Sequence, residues 1–180
     1  AAQTTLTLSG LIGSETLNTT NNTSTFNNKN VGTGKTVTVN SITLANGTNG
    51  GLAANYSISS GQTTTANITA KALTATASAS NKVYDGSNAA QTTLTLSGLI
   101  GSETLDTTNN TSTFNNKNVG TGKSVTVNSI TLANGTNGGL AANYSISPGQ
   151  TTTANITKKA LTVSGITASN KIYDGNTVAI

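Results

Sequence analysis

Five carboxylates are all the acidic chemistry this 180-residue chain carries: Glu15, Asp85, Glu103, Asp106 and Asp174. It has no His, Cys, Met, Trp or Arg to set beside them. A Ser or Thr nucleophile needs a base to take its proton, and thiolate chemistry and most transition-metal sites need Cys or His. Paired-acid glycoside cleavage needs two carboxyls about 5–9 Å apart. A calcium site needs about six to eight oxygens, usually several from carboxylates. No catalytic constellation can be assembled from this inventory, so the sequence predicts a protein that is not an enzyme and holds neither metal nor cofactor.

The polar cluster that stands out is Tyr84-Asp85-Gly86 in "SNKVYDGSN", which returns as Tyr173-Asp174-Gly175 in "SNKIYDGNT". As a binding element, Tyr84 and Asp85 would grip a sugar or a cation. As a structural element, Tyr84 packs on a core or a neighbouring module while Asp85-Gly86 makes a turn. Asp-Gly is a turn signal first, because Asp hydrogen-bonds its own backbone and Gly accepts positive φ. The structural reading is favoured for all six residues.

These clusters sit within a long repeat. "AAQTTLTLSGLIGSETL" begins at Ala1 and again at Ala89, an offset of 88 residues. Between Ala1–Leu73 and Ala89–Leu161 only four positions differ: Asn18/Asp106, Thr36/Ser124, Ser60/Pro148 and Ala70/Lys158. Asp106 is therefore dispensable to the repeat. Beyond Leu161 the second copy gains one residue. Solenoid coils repeat every 20–50 residues or so; this longer period has the size of a small domain with its own core.

Each copy is built from alternating segments. Leu94 and Leu96, Val125 and Val127, Ile130 and Leu132, and Tyr144 and Ile146 each recur at period two, as half-buried strands do. Between them "GTG", "NGTNGG" and "SPGQ" supply turn residues. The pattern predicts all-β or β-dominated small antiparallel modules, with single helical turns at most, at Gly101–Leu105 and Gly139–Asn143. Apolar parity flips between Val127 and Ile130, which predicts a bulge or bend near Asn128. Phe26 and Phe114 are expected in the core. "TTTANITAKALTATA", from Thr63 to Ala77, contains no Gly or Pro. It reads as continuous extended chain leaving one core and entering the next, without the flexibility of a Gly/Ser tether.

Charged residues make up only 8% of the chain, and the lysines behind its pI of about 9.5 are scattered. Nucleic-acid binding would need a basic stripe, so none is expected. No apolar run suggests membrane insertion.

Taken in order, the YDG after the opening strand, "NKNVGTGK", and "NYSIS" before "TTTANIT" resemble the YDG/MBG repeat of large secreted bacterial adhesins of the filamentous haemagglutinin type. The resemblance spans essentially the whole chain. It implies small β-modules of β-grasp type strung in tandem; because the sequence offers only single helical turns, a β-sandwich is the alternative, and the junction without a flexible linker predicts modules stacked end to end as a rod. In that register residues 1–70 are a module without its opening strand, 71–157 a complete module, and 158–180 the opening segment of a third. The chain reads as an excerpt of a longer array. The function implied is a spacer or stalk on the bacterial cell surface, projecting a distant adhesive domain for cell adhesion or biofilm formation. Its partners would be neighbouring repeats, with host-surface or matrix glycans and proteins met through other domains. The alternative is that the repeats bind glycan or protein themselves, weakly per module and strongly in sum.

Overall fold

The computed structural model describes residues 3–178. The first repeat forms a three-stranded antiparallel sheet of β1 (Leu17–Phe26), β2 (Gly32–Asn46) and β3 (Thr63–Ile68), with β2 in the centre. After β3 come three short extended segments, β4 (Lys71–Ala72), β5 (Thr74–Ala79) and β6 (Lys82–Val83). The chain thus passes from repeat to repeat in extended form, as the absence of Gly and Pro predicts.

The second repeat continues with β7 (Ala89–Ala90), β8 (Thr92–Ser97), β9 (Leu105–Phe114), β10 (Gly120–Asn134), β11 (Tyr144–Ser145) and β12 (Thr151–Thr157). Here the sheet has five strands in the order β6-β12-β10-β9-β7, while β5 pairs with β8 and β11 with β4. The fold is all-β. Among the described residues its helical content is two single 3-10 turns, Ala53–Asn55 and Ala141–Asn143. The second lies inside the Gly139–Asn143 segment picked out from sequence, whereas Gly101–Leu105 forms a plain turn that ends as β9 begins.

Two pairings depart from the expected antiparallel pattern. β4 runs parallel to β11 (Lys71 opposite Tyr144) and β6 runs parallel to β12 (Lys82 opposite Ile156). The opening segment reaches strands far along the chain and enters without a hairpin, so nothing forces it to reverse direction.

A bulge lies at the place in the first repeat equivalent to Asn128. In β2, Ser24 faces Val39 and Thr23 faces Ser41, which leaves Asn40 unopposed. Asn40 is the counterpart of Asn128, and each donates its amide to a threonine hydroxyl, Thr25 or Thr113, at 3.1 Å. Along β10 Val125 and Val127 are buried and Ile130 and Leu132 half-buried, in line with the flip in apolar parity between them.

The chain makes two compact units. The first comprises Ala1–Thr74, Leu96–Thr108 and Leu132–Ser147. It holds a cluster of Leu73, Leu105 and Tyr144, bordered by Leu96, Leu99, Leu132 and Ile146. The second comprises Ala75–Thr95, Asn109–Thr131 and Pro148–Ile180, around Phe114, Val125, Ala154 and Ile156. Ala79, Tyr84 and Ala90, all from the opening part of the repeat, pack on this cluster. Buried hydroxyls are paired: Ser24 shares a hydrogen bond with Thr4, and Ser112 with Thr92, both at 2.7 Å.

Candidate functional site

The six motif residues form two turns of one design. In the first, Lys82 Nζ donates to Asp85 Oδ1 at 2.9 Å, to the carbonyl of Ser87 at 3.0 Å and to the carbonyl of Ala89 at 2.9 Å. Asp85 Oδ1 also accepts from the Ser87 backbone N–H at 2.9 Å and from the Ser87 hydroxyl at 3.0 Å. Gly86 turns the chain at φ +85°, a conformation that favours glycine. Tyr84 is half-buried against the Phe114 cluster, and its N–H donates to the Thr157 carbonyl at 2.9 Å. The Lys82 ammonium also lies 5.7 Å from the centre of the Phe114 ring, within cation–π range.

The second turn reproduces this arrangement. Lys171 Nζ reaches Asp174 at 2.8 Å, the Asn176 carbonyl at 2.9 Å and the Val178 carbonyl at 3.0 Å. Asn176, standing where the first turn has Ser87, donates its backbone N–H and side-chain amide to Asp174. Gly175 has φ +77°. Tyr173, however, is 93% exposed and packs on no core. The turn thus closes on its own, and burial of the tyrosine is a separate event.

Both aspartates are held as carboxylates. The Lys82 ammonium, followed by the Ser87 N–H and hydroxyl, lowers Asp85 to a pKa of about 2. The Lys171 ammonium and the Asn176 N–H lower Asp174 in the same direction. The lysine is what the sequence reading missed. Its signal was present, because Lys stands two residues before Tyr in both copies.

A second recurring pair links Glu and Tyr. Tyr144 donates its hydroxyl to Glu103 Oε2 at 2.6 Å while accepting the Ile100 N–H at 3.1 Å. Tyr56 does the same with Glu15 and Ile12 in the first repeat. The Tyr144 hydrogen bond, with help from Lys29, lowers Glu103, and the same hydrogen bond raises Tyr144. Lys29 of the first repeat donates to Glu103 Oε1 at 3.4 Å. Beside it, Asn143 accepts the Val31 N–H at 2.9 Å and donates to Asn30 at 3.2 Å. All of these residues belong to the first compact unit, so two repeats are joined within one body.

Among the described residues no three side chains of His, Cys, Asp or Glu converge as metal ligands would. A recess of about 330 Å³ lies beside the first turn, bordered by Asn81, Lys82, Asp85 and Gln91. Any ligand there would compete with acceptors that already occupy the Lys82 ammonium.

The chain is an all-β protein carrying two lysine-anchored Tyr-Asp-Gly turns. It belongs to the YDG domain family, whose model matches residues 1–66 and 69–154. No curated protein and no solved structure matched it.

Proposed function

We propose that these repeats are structural spacer modules of a bacterial surface adhesin, exported with the rest of the polypeptide, and that their product is reach. One observation carries this reading: residues of the first repeat, Lys29, Asn30 and Val31, are hydrogen-bonded to Glu103 and Asn143 of the second inside a single compact unit. Repeats joined this way resist bending at their junction, unlike beads on a flexible tether. The motif residues fit the same role. Asp85 and Asp174 face their own lysines and backbone donors. They act as turn anchors, and the repeats neither catalyse a reaction nor carry a cofactor.

Small-angle X-ray scattering on chains of two, four and six repeats tests the proposal. A spacer gives a maximum dimension that grows by a constant increment per repeat. Growth with roughly the square root of copy number, as flexible chains show, overturns it. Binding to glycan arrays that strengthens with copy number would instead make the repeats multivalent binders.

A further inference from the structure

Four oxygens converge on the Lys82 ammonium. Asp85 Oδ1 and the Ala89 carbonyl lie at 2.9 Å, and the Ser87 carbonyl and hydroxyl at 3.0 Å. The Phe114 ring adds a π face with its centre 5.7 Å away. A carboxylate, a hydroxyl and two carbonyls around one positive charge are the donor set of a cation site. Here the cation is tethered to the chain.

The second turn builds the same cage from a different side chain. Lys171 Nζ meets Asp174 Oδ1 at 2.8 Å, Asn176 Oδ1 and the Asn176 carbonyl at 2.9 Å, and the Val178 carbonyl at 3.0 Å. Ser87 and Asn176 hold equivalent places, and each does two things. Each donates to the aspartate, which fixes the carboxylate, and each turns a side-chain oxygen to the ammonium. Two residue types thus supply one ligand to one cation.

Size and charge narrow what the cage accepts. Its oxygens stand 2.8–3.0 Å from the nitrogen, the spacing of N–H···O hydrogen bonds. Calcium draws its oxygens in to about 2.3–2.6 Å and usually takes several carboxylates, whereas each cage offers one. A recess of about 330 Å³ bordered by Asn81, Lys82, Asp85 and Gln91 gives a small ion a way in from solvent.

We propose that the Tyr-Asp-Gly turn is a monovalent-cation site whose resident ion is the lysine ammonium, and that it takes a free ammonium or primary alkylammonium ion when that side chain is withdrawn. The cation closes the turn, because the oxygens it gathers would repel one another without it. The methylene stem of the lysine is a tether that keeps the ion at hand. This holds whether or not the repeats serve as surface spacers.

Chemical rescue of Lys82→Ala in the full 180-residue chain tests the inference, read by hydrogen exchange at the Ser87 amide, which donates to Asp85. In tetramethylammonium chloride, whose ion has no N–H to offer, that amide should exchange about tenfold faster than in the wild-type chain, as loss of a charge-assisted hydrogen bond implies. Replacing the salt at constant ionic strength by ammonium, or by n-propylammonium, which restores the atoms removed, should return the rate toward wild type and saturate. Lys171→Ala, read at the Asn176 amide, repeats the test on a turn outside both core clusters should Lys82→Ala not fold. Three results overturn the proposal: wild-type protection of the variants in tetramethylammonium alone, restoration by neither ammonium ion, or restoration by calcium at lower concentration than by either.

Discussion

At the scale of residues, the Tyr-Asp-Gly motif is a closed circuit of donors and acceptors, and Lys82 closes it. Its ammonium meets one carboxylate and two carbonyls within three residues of Gly86. Because this side chain is 18% exposed, a shortened or neutral replacement leaves acceptors without a partner. Asp85 binds its proton less readily folded than unfolded, with a pKa of about 2 against 3.8. Its contribution to stability is therefore fully present above pH 3.8 and is lost as pH falls through about 2. Carboxyl NMR of Asp85 should titrate near 2, and Lys82→Gln should move the midpoint up toward 3.8, since the lysine is the largest cause of the depression. A wild-type midpoint already near 3.8 would contradict the circuit.

Elements are joined by turns in which single positions are sharply constrained. In "NGTNGG" Asn137 adopts φ 55° and donates its amide to the Ser102 carbonyl at 3.0 Å, which offsets the cost of a left-handed non-glycine residue. A Cβ on Gly139 would stand 1.8 Å from the Thr104 carbonyl oxygen, a backbone atom that cannot swing away. Gly139→Ala should cost about 1–3 kcal/mol, as overpacking does, and calorimetry should show a lowered melting temperature. The two phenylalanines differ in burial. Phe114 is 2% exposed beneath Tyr84 and Ala79, so Phe114→Ala should cost about 3–5 kcal/mol. The same substitution at half-buried Phe26 should cost clearly less, and equal losses in chemical denaturation of the two variants would contradict this difference in burial.

For the whole molecule the junction between repeats is decisive, and its members are unequal. Lys29 is 75% exposed and reaches Glu103 at 3.4 Å, a contact that water and salt weaken. Asn143 holds the partly buried Val31 N–H, so Asn143→Ala strands a backbone donor and should destabilise the first unit by about 1–3 kcal/mol. Hydrogen exchange should show faster opening of the Val31 amide in Asn143→Ala at low and high salt alike. Lys29→Ala should have a smaller effect that fades as salt is added. The reverse ranking would make charge, rather than the amide, the joint between repeats.

The sequence by itself determined the repeat, the all-β class, the alternating faces and the flip in apolar parity that a bulge at Asn40 accompanies in the first repeat, because strand period and parity are local properties of a chain. It located both Tyr-Asp-Gly turns for the same reason, though not the lysine that anchors each, since which acceptors Nζ reaches depends on the path of the following residues. Only the tertiary structure decided that Tyr84 is covered while Tyr173 is bare, that β4 and β6 run parallel to their partners, and that Glu103 faces Tyr144 and Lys29. Phe26 and Phe114 occupy identical local sequence and differ in burial, because burial depends on what lies above a residue. That is set by a segment distant in the chain and cannot be read from its neighbours.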